Sequence, residues 1–129
     1  MRIGDVAGRA GVPAKTIRYW EDRHLLAPPA RTPAGYRDYD EAILDRIAFI
    51  RQAQAGGLTL DAIGQVLGIR DGGQPPCVHV TGLIAQRLAE VEVKLAELAR
   101  TRDQLAALAG RAAEQDPADC HGYCSIIAR

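Results

Sequence analysis

Aromatic side chains are scarce in this chain: they make up 5% of its 129 residues, with a single Trp and a single Phe. β-Sandwiches and barrels draw on β-branched and aromatic residues, so this scarcity, beside a second half rich in Ala and Leu, argues for helices. Net charge is missing too, 16 Lys and Arg standing against 16 Asp and Glu. Any affinity for nucleic acid must therefore come from a local basic cluster and not from a global field. No apolar run approaches the roughly 18–20 residues of a membrane span, and "MRIGDVAGRAGV" contains no signal-peptide core, so a cytoplasmic protein with no membrane partner is expected. Cysteine is limited to three residues, an odd number in a compartment that keeps thiols reduced. A disulfide framework explains them poorly; metal binding, redox sensing and burial remain.

The length suits one small domain, or a small head carrying an extended dimerisation element. Across residues 1–54 there are nine basic residues against seven acidic ones, a slight excess that matters only if it gathers on one face. The opening stretch "RIGDVAGRAGVPAKTIRYWED" divides into two short helical patterns around Gly11. Ile3, Val6 and Ala7 form the apolar face of the first, and Pro13 suits the first turn of the second. Two short helices about a tight glycine turn make a helix-turn-helix, whose second helix would offer Lys15, Thr16 and Arg18 to a major groove. A plain helical hairpin with solvated charges fits the same pattern. Next, "LLAPPARTPAGYRDYDEA" breaks helix with prolines and a glycine. It reads as a two-stranded wing whose Arg31, Tyr36, Arg37 and Tyr39 contact phosphates, or as a loop with its tyrosines in the core.

Two more helices follow. "YDEAILDRIAFIRQAQAGG" carries Ile43, Leu44, Ile47 and Ile50 at helical spacing and stops at Gly56-Gly57; "TLDAIGQVLGI" starts at an N-cap Thr59 and ends near Gly68. After the break "RDGGQPP", the series Cys77, Thr81, Ile84, Leu88, Val91, Leu95, Leu98, Arg102, Leu105 alternates steps of four and three. That is a coiled-coil seam on a helix about 50 Å long. Such a narrow stripe is best covered by a copy of itself, parallel or antiparallel, in a two-fold homodimer. Past Gly110 the pattern decays into a tail for which disorder is the default. The expected organisation is mainly α: a winged helix-turn-helix head over 1–70, a dimerisation helix over 76–110 and a cysteine-bearing tail over 111–129.

Taken together, "RIGDVAGRAGVPAKTIRYWEDRHLL", "PPARTPAGYRDYD", "IRQAQAGGLTLDAIGQVL" and a long helix ending in a cysteine loop resemble the MerR-type transcriptional regulators, in their metal-sensing branch. The resemblance covers essentially the whole chain; Trp20 stands where the family usually has Tyr or Phe. It implies a winged-helix head, an antiparallel coiled-coil homodimer, and a bound dimer that untwists an overlong promoter spacer for RNA polymerase holoenzyme when metal is present. It also places Lys15, Thr16, Arg18, Tyr19, Arg31, Gly35, Tyr36, Arg37 and Tyr39 on double-stranded DNA, with Gly35 permitting a turn that a side chain would strain.

By the same resemblance, the tail "CHGYC" is a metal loop closed by Cys120 and Cys124, and a cysteine at the start of the partner's long helix joins it in sensors of divalent metals. Cys77 stands at that start. The family's first loop cysteine normally follows the helix directly, whereas here "GRAA" fills 110–113 and the pair is compressed to C-x3-C, behind a spacer or an extra helical turn. Three thiolates suit Hg(II) or Pb(II), and adding His121 or His79 suits Zn(II) or Cd(II). A site of Cys120 and Cys124 alone suits Cu(I), with Cys77 then a small seam residue. Ile126 and Ile127 are expected to shield the thiolates. A regulator responding to thiol oxidation remains as a further alternative. Iron–sulfur sensing would need more cysteines, and no catalytic constellation is apparent, so an enzyme is not expected.

Overall fold

The computed structural model describes residues 1–128. Five helices carry the chain: α1 (Ile3–Ala10), α2 (Ala14–Asp22), α3 (Ala42–Ala55), α4 (Leu60–Asp71) and α5 (Cys77–Glu114). Between α2 and α3 two antiparallel strands, β1 (Ala30–Arg31) and β2 (Arg37–Asp38), pair Ala30 with Asp38 and Arg31 with Arg37. The chain divides into two compact units, Met1–Arg87 and Leu88–Arg129.

In the first unit, α1 packs on α2 and α3, and α3 on α4. Their apolar faces meet in one core built from Val6, Val12, Ile17, Trp20, Leu25, Leu26, Tyr39, Ile47, Ile50, Ile63 and Leu67. Trp20 is buried within it. An aromatic at this point of α2 contributes much of the head's buried apolar area.

The turn between α1 and α2 depends on Gly11, at φ +70° in the left-handed region, whose N–H closes the last turn of α1 on the Ala7 carbonyl. A side chain is strained there, which is why glycine ends the helix. Arg51 of α3 donates to the Ala10 and Gly11 carbonyls at 3.1 and 3.4 Å, filling acceptors the helix end leaves open. Pro13 is the residue that caps α2 rather than part of its first turn. The other end of α2 closes through His24, a non-glycine residue at φ +60°, after which Leu25 and Leu26 turn back into the core.

Thr59 caps α4 as its sequence suggests, its hydroxyl accepting from the Ala62 N–H at 3.1 Å. Two helices run further than their glycines imply. α4 passes Gly68 and stops at Gly72, held by Arg46, which donates to both carboxylate oxygens of Asp71 at 2.8 and 2.9 Å. α5 passes Gly110 and ends at Glu114, one turn later, because an exposed glycine among alanines costs a helix only about 1 kcal/mol.

The second unit has no buried core. Leu88, Leu95, Leu98 and Leu105 of the seam, and Ile84 just before this unit, are each more than half exposed, while Val91 is half-buried. The tail is ordered: Asp116 caps a short 3₁₀ turn, Pro117–Asp119, and turns follow through Ile127. No helix is long and apolar enough to cross a membrane among the described residues.

Candidate functional site

Two regions gather the residues that carry chemistry. The first is the outer face of the head. α2 presents Lys15, Arg18 and Tyr19 to solvent, with Thr16 half-buried. Arg23 lies over the Tyr19 ring and donates to its hydroxyl at 3.2 Å, which steadies that ring on the helix surface.

The wing supplies the rest. Gly35 at φ +87° makes the hairpin turn, and the turn is closed by Gly35 N–H on the Thr32 carbonyl and Thr32 N–H on the Tyr36 carbonyl, each at 2.8 Å. Arg31 donates to the Gly35 carbonyl at 3.0 Å, and Tyr36 is 54% exposed. A three-residue tip that brings an arginine and a tyrosine to the surface suits contact with a phosphate backbone, since such contacts need position and charge but no base edge.

Tyr39 is a correction. It is 4% exposed, belongs to the head core, and donates its hydroxyl to Glu21 of α2. A residue so placed holds the wing base to the helix and does not face DNA. Burial first, and then the bond to Glu21, push its hydroxyl well above the ordinary tyrosine value. Arg37 meets the same carboxylate at 3.3 Å. Glu21, at 9% side-chain exposure, therefore joins α2 to β2. Pattern reading missed it, because a lone acid on a helix looks solvated; the signal available was its place on the same side of α2 as Ile17 and Trp20.

The second region is the tail. His121 N–H donates to Ser125 Oγ at 2.7 Å, and Ser125 N–H donates to Cys120 Sγ at 3.5 Å. These bonds fold 120–125 into a loop around Gly122, at φ +64°, with Cys124 in the same loop. The Cys120 thiol is held below its ordinary value, chiefly by the Ser125 N–H, then by the Ser125 hydroxyl, with Cys124 adding to them. Donors aimed at sulfur favour the thiolate, the form that binds soft metals.

The remaining predicted ligands are not assembled in one chain. Cys77 is the exposed first residue of α5. His79, two residues in, is half-buried, and its Nε2 finds no hydrogen-bond partner among the described residues. His121 is exposed, and its backbone holds it to Ser125. No group of three His, Cys, Asp or Glu side chains converges as a metal site among the described residues. The shield expected from Ile126 and Ile127 is partial: Ile126 and Cys124 are half-buried, while Ile127 is 70% exposed and Cys120 is open to solvent.

Among known families, residues 1–68 match the one described as MerR HTH family regulatory protein, and residues 44–108 match the one described as MerR, DNA binding. The chain is 37% identical over 127 residues to the HTH-type transcriptional regulator ZntR of Escherichia coli, spanning 98% of this chain and 89% of the relative. It is 35% identical over 120 residues to the regulator CueR of Salmonella typhimurium, spanning 93% and 87%. Among solved structures, the transcription regulator PbrR691 from Ralstonia metallidurans, in complex with lead(II), matches with a TM-score of 0.81 at 34% identity, over 98% of this chain and 96% of that one.

Proposed function

The chain belongs to the MerR family of helix-turn-helix regulatory proteins, and on that premise we propose that it is a metal-responsive transcriptional regulator sensing a soft, divalent ion through cysteines shared across a homodimer. The observation that carries this reading is the tail loop, where the Ser125 N–H donates to the Cys120 sulfur and a second cysteine, Cys124, lies in the same turn. Two soft donors in one loop, one already inclined to ionise, fit a thiophilic metal. When bound, such an ion supplies the positive charge that lets several thiolates sit side by side.

Cys120 and Cys124 furnish two of those thiolates in one protomer, and Cys77 of a second copy furnishes the third. Cys77 opens α5 while the loop follows its C-terminal end, so an antiparallel pairing of two α5 helices brings unlike ends together. The uncovered stripe from Ile84 to Leu105 supports that pairing, because about 25 cal/mol per Å² of apolar surface favours covering it. His79 and His121 stand as candidate fourth donors for Zn(II) or Cd(II). The similar structure of PbrR691 was solved in complex with lead(II), a metal this loop chemistry suits.

The DNA side of the reading rests on Lys15, Arg18 and Tyr19 of α2 with Arg31, Tyr36 and Arg37 of the wing. Regulation requires two conformations of the DNA-bound dimer, with the thiolate set complete in only one; equal completeness in both would switch nothing, however tight the binding. The promoter geometry then presented to RNA polymerase differs between the two.

A second reading has its own support. Within one chain only the two loop cysteines come together, and two thiolates suffice for Cu(I). Titration of reduced protein with Hg(II), Pb(II), Cd(II), Zn(II) and Cu(I), following thiolate-to-metal absorbance in wild type and Cys77→Ser, separates the two. Selective loss of the divalent ions in Cys77→Ser supports the shared site. Unchanged Cu(I) binding, with divalent ions held by neither form, establishes the copper reading.

A further inference from the structure

A cleft of about 440 Å³ opens between the start of α1 and the wing, lined by Arg2, Ile3, Gly4, Asp5, Arg31, Gly35, Tyr36 and Arg37. Three guanidinium groups from three separate elements face it, against one carboxylate. Two of the three already have partners: Arg31 donates to the Gly35 carbonyl within the wing, and Arg37 to Glu21 of α2. Arg2 is different. Its guanidinium carbon lies 4.3 Å from the centre of the Tyr36 ring, and no carboxylate pairs with it among the described residues.

Stacking of this kind covers one face of the guanidinium and leaves its in-plane N–H fork free. The fork is also held still, so little side-chain entropy is lost when it meets a two-oxygen acceptor. Beside it, the first amides of α1, Ile3 and Gly4, have no intrahelical carbonyl to reach and carry the positive end of the helix dipole. Gly4 keeps the approach open, since a side-chain carbon built there meets nothing within 4 Å. The one acid in the lining, Asp5, is occupied in accepting the Arg2 backbone N–H at 3.1 Å.

We propose that Arg2, stacked on Tyr36, together with the first amides of α1, binds a phosphate of the DNA backbone, so that the duplex is clamped between α1 and the wing. This deepens the DNA-binding reading and rests on it. An isolated anion finds little to prefer in so open a cleft, whereas a duplex whose next phosphates fall on Arg31 and Arg37 engages all three guanidinium groups at once. Tyr36 thereby acquires a second role, its ring being the platform that aims Arg2.

The test uses the full-length reduced protein and a duplex that the wild type itself selects from a random-sequence pool. Dissociation constants are measured over a salt series for wild type, Arg2→Ala, Arg2→Lys and Tyr36→Leu. Arg2→Ala weakens binding by the dimer about a hundredfold, as loss of one charge-assisted contact in each protomer does, and lowers the slope of log affinity against log salt by about two. Arg2→Lys keeps the slope but not the full affinity, because charge survives without the stacked fork. A scan of single neutral methylphosphonate linkages then identifies one phosphate in each half-site whose neutralisation weakens wild type but leaves Arg2→Ala unchanged. Thermal unfolding of Arg2→Ala matches wild type, since the side chain is exposed. Wild-type affinity and slope in Arg2→Ala, or a methylphosphonate that weakens both proteins equally at every position, overturns the proposal. If the wild type retains no duplex from the pool, the DNA-binding reading itself falls, and the phosphate site with it.

Discussion

The head and the region beyond it obey different rules. In the head, side chains from four helices and the wing close on one another, and its apolar residues are buried by other parts of the same chain. Along α5 the apolar residues are arranged just as regularly, yet none of α5 is buried. Regular patterning thus has two meanings. In the head it specifies internal contacts; on α5 it specifies a surface that a second molecule must complete, because a helix with one exposed stripe gains most of its stability from packing.

The sharpest way to break that contrast is to damage each region in turn. Trp20→Ala removes the largest buried ring of the head and is expected to cost about 3–5 kcal/mol, most of what a small domain possesses. Denaturant titrations at several protein concentrations should show the same loss at each, since the contacts are internal. Next in size is Leu98→Asp on the exposed stripe of α5. Sedimentation should report a monomer, circular dichroism a loss of helix, and the near-ultraviolet signal of Trp20 no change. A dimer that survives this charge would end the view that α5 is completed by its own copy.

A third experiment probes the link between α2 and the wing. Glu21→Gln leaves the Tyr39 hydroxyl and Arg37 with a weaker partner, for an expected loss of about 1–3 kcal/mol. The same link predicts a pH dependence. Because the folded state raises the Tyr39 hydroxyl, its contribution is complete below about pH 10, the unfolded value, and declines as pH climbs above it. The decline should be shallower in Glu21→Gln, since burial remains the larger cause of the shift.

Two smaller effects refine the picture of the open region and of the head's edge. Alkylation of Cys120 should have its midpoint below the ordinary thiol value, and Ser125→Ala should move it part of the way back, because the Ser125 N–H remains. A midpoint unmoved by that change would mean that the loop does not hold its thiol as described. Asp71, which Arg46 keeps below the usual carboxylate range through their hydrogen bond, should matter least. Asp71→Asn is expected to cost about 0.5 kcal/mol near neutral pH, as for a solvent-facing pair. The difference from wild type should disappear as pH falls below the unfolded carboxylate value of about 4.

Much of this was legible from residues alone, and the exceptions have a common cause. The helix-turn-helix, the wing and the Thr59 cap were readable because each depends on neighbours in sequence: Gly11 between two apolar patterns, Gly35 between Arg31 and Arg37, a hydroxyl three residues before an amide. Tyr39 was misplaced, and Glu21 overlooked, because each is explained only by the other, 18 residues away. α4 runs past Gly68, and α5 takes the extra turn left open after Gly110, because helix ends are decided by what the next turn can bond or expose, as Arg46 does for Asp71. In the tail, the resemblance to metal sensors, and not the spacing alone, made Cys120 and Cys124 a candidate chelate. Nothing in that spacing revealed that Ser125, beyond the second cysteine, supplies the donor to the first.

Arg51 and Arg46 also bear on the order in which the molecule is made. The open carbonyls at the end of α1, and the Leu25 carbonyl after α2, are satisfied by side chains encoded some twenty to forty positions later. As the polypeptide leaves the ribosome, the DNA-reading hairpin therefore emerges before the groups that lock its angle. It becomes a rigid reader only once α3 has followed it out, so a nascent chain halted near residue 40 carries the recognition residues without the geometry to use them.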